Sequence, residues 1–379
     1  MNTQESFEGE IQGEEEARSI AENGRYEGII GELLSKGLLE GCVKRTQAEF
    51  SARIEASGFA PASKDWEMLT VMRLFHHDTA EHCVRTFEIL SYKIHETLIG
   101  PSGTPVNLSD NIVAEGVSIP EFLRAALLHD VGKIVIPRSV LDNPISNTKW
   151  WDILGAEVHL SGHEAEAVRA HISELSGSPF NLATYREDLS ARGVRPIQVC
   201  PVGAVLSMDE LDDLAKRGFS AESTISEIMT AHEEESRRIL ETHGLLAEAK
   251  LAGMHHNYSR KPLGGEILSV GALQVGADVV GISMADIIHL ADVTDALLNP
   301  RSYKKEGVPL PKVLSVLVEH ANSGKVSREM TYMWIKSELA KSGISEAYKA
   351  GFADDLRAID SFLHGEEVEA KGKIMRRAA

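Results

Sequence analysis

Basic residues are the scarcer charge in this chain. Its 39 lysines and arginines stand against 57 aspartates and glutamates, a formal net charge of −18. That balance excludes a broad nucleic-acid-binding surface, because a strongly anionic protein repels a phosphate backbone, and no DNA or RNA duplex is expected as a partner. A small anionic substrate stays open, since bound cations reverse the local field. Cysteine is scarcer still. Cys42, Cys83 and Cys200 are far apart, which excludes a disulfide framework and points to a reducing compartment. A long apolar run is also missing. The most weakly polar segment, 267–285, is interrupted by Gln274 and Asp278 and is rich in glycine, whereas a membrane span needs about 20 predominantly apolar residues. The first sixteen residues carry six glutamates, the opposite of the basic stretch that opens an export signal. No repeat of fixed period is present. These absences give the expectation of a cytoplasmic protein with no membrane partner.

What is present reads as helix. At 379 residues the chain exceeds one typical domain of roughly 100–200 residues, and its 43% apolar content supports a substantial core. Residues 1–65 are expected to form a helical N-terminal region, acidic and loosely ordered at first and helical from near Glu14. Tyr26 to Ile54 carries Ile29, Ile30, Leu33, Leu34, Leu38 and Leu39 at helical spacing, with Gly58 and Pro61 as breakers. This region packs on the main domain or on a second subunit, so a homodimer is one open alternative. The main domain is expected over 66–345, interrupted by an insertion at about 145–227. Trp150, Trp151 and a helical pattern over 157–175 suggest that the insertion is folded. Residues 193–206 alternate as a strand pair or an extended loop, followed by a short helix from Asp209 to Lys216 after a Ser207 cap. A lid and an oligomer contact both remain open for it. Two amphipathic segments follow, one around Leu314 to Leu317 and one around Tyr332 to Leu339. Residues 346–379 read as a last helix, from Phe352 to Phe362, and a charged tail. Its basic residues, Lys371, Lys373, Arg376 and Arg377, read as solvated.

The richest stretch is Ala126-Leu-Leu-His129-Asp130-Val-Gly-Lys133. An imidazole and a carboxylate stand at the end of an apolar run, with a lysine three residues on. Further metal-ligand types follow the same logic. Asp78 and His82 are four apart in a helical segment and share a face; His76, His77 and Glu81 are rivals in register. His232 opens a helical pattern ending in Ile239 and Leu240, with His159 and His163 as its rivals. His255 and His256 close another helical run, and Asp292 sits on a helix whose buried face carries Leu290, Val293, Leu297 and Leu298. Neighbouring residues on a helix point about 100° apart, so the adjacent pairs His129-Asp130 and His255-His256 suit a site with more than one ion, Asp130 bridging. Five imidazoles and three carboxylates are too many for one tetrahedral zinc, which takes about four ligands. Without thiolates the set suits iron or manganese best, nickel and zinc also being compatible. Cys83 reads as a small buried side chain, and Asp295 as a helix-stabilising or outer carboxylate.

These residues resemble the HD-GYP subgroup of the HD-domain metal-dependent phosphohydrolases. Arg124-Ala-Ala-Leu-Leu-His-Asp-Val-Gly-Lys-Ile-Val-Ile-Pro137 is close to the family's central motif. Ala291-Asp292-Val-Thr-Asp295 through Arg301-Ser-Tyr303-Lys304-Lys305 is similar to its downstream motif. The likeness runs from about Phe75 to Ile335 around the insertion. It implies an all-α HD-domain bundle that cleaves cyclic di-GMP or a related cyclic dinucleotide at two or three divalent ions. The implied ligands are Asp78, His82, His129, Asp130, His232, His255, His256 and Asp292. Asp78 stands where the family usually has glutamate, in the place of the third-ion ligand; without it two ions are expected. Asp130 and Lys133 are the implied catalytic residues, with Lys133, Arg260, Lys261, Arg301 and Lys304 as phosphate contacts. The chain departs from the family in its loop: after His255 and His256 it reads Asn257-Tyr-Ser-Arg260-Lys261-Pro-Leu-Gly264-Gly265-Glu266. The Gly-Tyr-Pro sequence is absent and Asn257 replaces the usual glutamate, which leaves substrate identity open. In the implied reaction two ions neutralise the phosphodiester, hold a hydroxide at neutral pH and clamp the attacking and leaving oxygens, while Lys133 stabilises developing charge. A hydrolase for another nucleotide or phosphate ester, and a catalytically weak sensor of the dinucleotide, are the alternatives.

Overall fold

A computed structural model describes residues 3–101, 103–114, 116–141, 202–204, 206, 208–256, 272–275, 278–281, 283–300, 306–342 and 353–364. Helices dominate these residues, as the sequence led us to expect. In chain order they are α1 (Thr3–Asn23), α2 (Tyr26–Ser35), α3 (Leu39–Glu55), α4 (Ser63–Phe75), α5 (His77–Lys93), α6 (Leu108–Ala114), α7 (Ile119–Leu128), α8 (Arg138–Leu141) and α9 (Met208–Lys216). They continue as α10 (Ile225–Thr242), α11 (Leu246–Ala252), α12 (Met284–Leu298), α13 (Leu310–Asn322), α14 (Arg328–Ser342) and α15 (Ala353–Leu363). Two antiparallel strand pairs accompany them. One joins β1 (Thr97–Ile99) to β2 (Pro105–Asn107) with Leu98 opposite Val106; the other joins β3 (Ala272–Val275) to β4 (Asp278–Gly281). No described helix is long and apolar enough to cross a membrane.

The chain divides into two compact units, residues 1–134 with 233–368, and residues 135–232 with 369–379. In the first unit α4 is the central rod. Nearly every side chain from Asp65 to Phe75 is buried, the pattern of a helix surrounded by neighbours rather than lying at a surface. Helices α1, α3, α5 and α7 pack against it. Charged pairs tie the N-terminal helices down: Glu14 accepts from Arg73 at 2.8 Å and meets Arg45 at 2.9 Å. Arg53 of α3 forks onto Glu81 and Glu88 of α5. The other end of α5 is held by a buried ammonium. Lys93 contacts Glu338 at 2.5 Å, donates to Ser337 and stands 4.8 Å over the Trp334 ring. Helix α12 lies on α5, while α13 packs on α12, α14 and α15.

Two expectations need correction, and one element was not expected. The N-terminal helix starts at Thr3 rather than near Glu14; glutamates are good helix formers, so an acidic stretch is no bar to helix. The helical stretch from Tyr26 to Ile54 is broken at Lys36, Gly37 and Leu38, where Gly37 adopts φ +68. Only glycine enters this left-handed region without strain, and the kink lets α2 and α3 bury separate stripes. The β1–β2 pair was not anticipated, because three-residue strands are too short to show a period.

In the second unit, Val202 and Gly203 donate to the carbonyls of Ser223 and Ala221, both at 2.8 Å. Thr224 and Glu227 then form a reciprocal cap at the start of α10. The expected helix from Asp209 is present as α9. The 157–175 helix and most of the 193–206 segment lie outside the described residues.

Candidate metal centre

Three structural devices in the first unit aim side chains at one buried place. Helix α7 begins at a Ser118–Glu121 capping box, which fixes its first turn, and ends at His129. Arg124, on its flank, donates to Asp65 of α4 at 3.0 Å and to Glu248 of α11 at 2.8 Å. The Gly132 N–H donates to the buried Ser236 hydroxyl at 2.8 Å, which pins the turn carrying His129, Asp130 and Lys133. Helix α11 delivers His255 and His256 just past its end, and α12 delivers His289, Asp292 and Asp295.

The acidic and imidazole groups converge. His82 Nε2 stands 2.8 Å from Asp292 Oδ1 and 3.6 Å from Asp130 Oδ2. His129 Nε2 is 3.4 Å from Asp130 Oδ2 and 3.9 Å from Asp292 Oδ1. His255 Nε2 is 3.8 Å from Asp130 Oδ1, and His256 Nε2 is 3.5 Å from Asp292 Oδ2. Two ligands of one ion with bonds of about 2.1 Å stand roughly 3 to 4 Å apart, so these spacings fit shared coordination. The imidazoles form a row. Ring centroids run from His82 to His129 at 5.4 Å, to His255 at 4.9 Å, to His256 at 4.1 Å, to His289 at 5.6 Å and to His320 at 5.2 Å.

Orientation of the rings decides what they can do. His129 Nδ1 donates to the Ala126 carbonyl at 2.8 Å, and His255 Nδ1 to the Ala252 carbonyl at 2.6 Å. His82 Nδ1 donates to Asp295 Oδ2 at 2.6 Å, and Asp295 is itself held by Arg85 at 2.7 Å. With Nδ1 committed as a donor, Nε2 of His129 and His255 carries a lone pair toward the cluster, the arrangement of metal-bound histidine with an outer partner; His82 Nε2 meets Asp292 Oδ1 at 2.8 Å and would give up that bond to an ion. His129 Nε2 is fully buried and has no hydrogen-bond partner among the described residues, a cost that a cation would remove. Burial pushes the His129 imidazole below its ordinary range, against the pull of Asp130 and Asp292, and so favours the neutral, ligating form. Burial alone would raise Asp292, but the hydrogen bond to His82 and nearby imidazole charge hold it well below the usual carboxylate range. The Cys83 thiol is pushed well up by burial and by Asp130, which suits the reading of a small buried side chain. The residues present therefore fit metal, and these buried histidine and aspartate groups could hold metal ions.

No family model, curated protein or solved structure matches this chain. The site stands on its own geometry.

Of the sequence-selected residues, His82, His129, Asp130, His255, His256 and Asp292 are brought together. The Lys133 ammonium donates to Asp130 and is buried beside it. Asp78 lies half-exposed in the first turn of α5, outside the grouped ligands. Among its rivals, His77 meets Glu49, Glu81 meets Arg53 and Arg85, and His76 meets Thr79. His232 ends the second unit; it is buried, with Nδ1 against its own Met229 carbonyl. Arg260, Lys261, Arg301 and Lys304 lie outside the described residues, as do Asn257 and the loop that follows it. Sequence reasoning overlooked His289, His320, Arg85 and Ser236. For His289 a signal existed: it stands three residues before Asp292, on the same helical face.

Proposed function

We propose that this chain is a metal-dependent phosphohydrolase of the HD-GYP type that hydrolyses a cyclic dinucleotide, cyclic di-GMP foremost. One observation carries the reading: His82 and Asp292, 210 residues apart in sequence, meet at 2.8 Å around the His129-Asp130 pair, with the rings of His129 and His255 anchored through Nδ1. A nitrogen and carboxylate set without thiolate suits iron or manganese, nickel and zinc being compatible. His82, His129, Asp130 and Asp292 would hold one ion, with His255 serving a second on the other Asp130 oxygen and His256 standing beside the outer Asp292 oxygen. The resemblance adds His232, and Asp78 for a third.

Such ions would supply Lewis-acid neutralisation of the phosphodiester and activation of water. The chain's own groups do the rest. Carbonyls of Ala126 and Ala252 fix two rings, so the direction of these two imidazoles is set before any ion binds. Asp130 sits among His82, His129 and His255 and is the residue that two ions would share. Lys133 adds positive charge beside it, where phosphate oxygens gain negative charge in the transition state. The same metal chemistry serves other phosphate esters, and the reading commits to a cyclic dinucleotide on the motif resemblance.

The test is incubation of anaerobically purified, manganese- or iron-loaded full-length protein with cyclic di-GMP, mixed cyclic dinucleotides and linear nucleotides. Cleavage of a cyclic dinucleotide is the expected result. Cleavage of linear substrates alone would replace the reading by a general phosphohydrolase, tight binding without product by a sensor, and neither binding nor turnover would end it.

A further inference from the structure

Beyond the eight ligands of the sequence pattern, α12 carries one more buried imidazole at the same place. His289 is three residues before Asp292, so both lie on one face of the helix. Donor atoms of His256, His289 and Asp292 all lie within 4.8 Å of one another. Around one ion with bonds of about 2.1 Å, donors can be up to about 4.2 Å apart, so a small side-chain rotation closes the set. The ring is fixed from behind: His289 Nε2 and His320 Nδ1, on α13, are 3.0 Å apart and the rings stack at 5.2 Å. Here the anchored nitrogen is Nε2, held by a second imidazole, which leaves Nδ1 for an ion; His82, His129 and His255 are anchored through Nδ1 instead. All four residues belong to the first unit.

We propose that His289 is a metal ligand, forming with His256 and Asp292 a cation position of two imidazoles and one carboxylate, with His320 as its positioning residue. That donor set takes ferrous iron, manganese or zinc. It extends the row of imidazoles at the end distant from His82, so this position neighbours the ions of the proposed function rather than duplicating them. The inference rests on the metal-binding part of that reading, not on its substrate.

The experiment is titration of the full-length, metal-free protein with Mn2+, the free ion being followed by electron paramagnetic resonance. His289→Gln is expected to bind one ion fewer than wild type and to leave the affinity of the rest within about twofold. His320→Ala is expected to keep the count and weaken one ion by about 10-fold to 100-fold, the usual effect of losing an outer partner. Crystals of the wild-type protein soaked in Mn2+ provide a readout independent of any variant, since anomalous density should lie within bonding distance of His289. An unchanged count in a folded His289→Gln variant, or anomalous peaks elsewhere but none at His289, overturns the inference and leaves the proposed function standing. A wild-type protein that takes up no ion overturns both.

Discussion

Asp295 offers the sharpest test of how the site is supported. Its fully buried carboxylate accepts from three residues: His82 Nδ1 at 2.6 Å, Arg85 Nε at 2.7 Å and Nη2 at 3.2 Å, and Asn299 Nδ2 at 2.6 Å. Asp295→Asn keeps the shape but replaces one acceptor oxygen by an amide donor, which must then face another donor. Hydrogen bonds to charged groups contribute about 1.5–3 kcal/mol each, and an orphaned buried partner adds its own desolvation cost. The metal-free variant should therefore lose about 1.5–3 kcal/mol of unfolding free energy, read by urea denaturation. The His82 ring also loses the group that holds Nδ1 protonated and Nε2 available. Outer partners of this kind typically matter 10- to 100-fold in metal affinity, or about 1.4–2.7 kcal/mol, read by Mn2+ titration. Stability within about 0.5 kcal/mol of wild type, together with an affinity within twofold, would refute the claim that Asp295 orients His82.

Ser236→Ala leaves the buried Gly132 N–H without its acceptor and should destabilise the protein by about 1–3 kcal/mol; a denaturation midpoint equal to wild type would mean that the turn is held by other contacts. Asp130→Ala removes the carboxylate nearest His129, His255 and Lys133, and should lower bound metal and abolish hydrolysis together; full metal content by elemental analysis would contradict a shared-ligand role. Burial opposes ionisation of Glu14, but Arg73, Arg45 and Arg18 outweigh it and hold the carboxyl below its usual range. Its contribution to stability is therefore present above the unfolded-state value of about 4.3 and fades as pH falls through the lower folded value. Glu14→Gln should be less stable than wild type at pH 7 and converge with it in acid, a pattern that denaturation at several pH values would reveal or exclude. Gly37→Ala forces a side chain into φ +68 and should cost about 1 kcal/mol, measured as a lower melting temperature, whereas an unchanged melting temperature would show that the kink relaxes.

The chain announces its helices through apolar spacing, and most of them form where the pattern puts them: α5, α11, α12 and α13 each contain the residues that suggested them. Ligand candidates were legible for the same reason, because a polar residue at the end of an apolar run needs a partner. What escaped was whatever depends on a second element. Arg85 gains its role from Asp295, Ser236 from the turn after His129, and His320 from a helix 31 residues beyond His289. None of these residues carries a local mark. The break at Gly37 was hidden by apolar residues that continue the spacing on both sides of it. Asp78 shows the converse: spacing gave it a face shared with His82, yet its position in the first turn of α5 leaves it half-exposed.

The carbonyls that clasp His129 and His255 belong to the closing turns of α7 and α11, so main chain and ligand direction are one mechanical part. Unwinding either turn would swing its imidazole away. An ion seated there would rivet two helix ends that no loop of the first unit joins directly. Slowed amide exchange at residues 126–132 and 252–256 would then register metal uptake before the apolar interior of the unit responds at all.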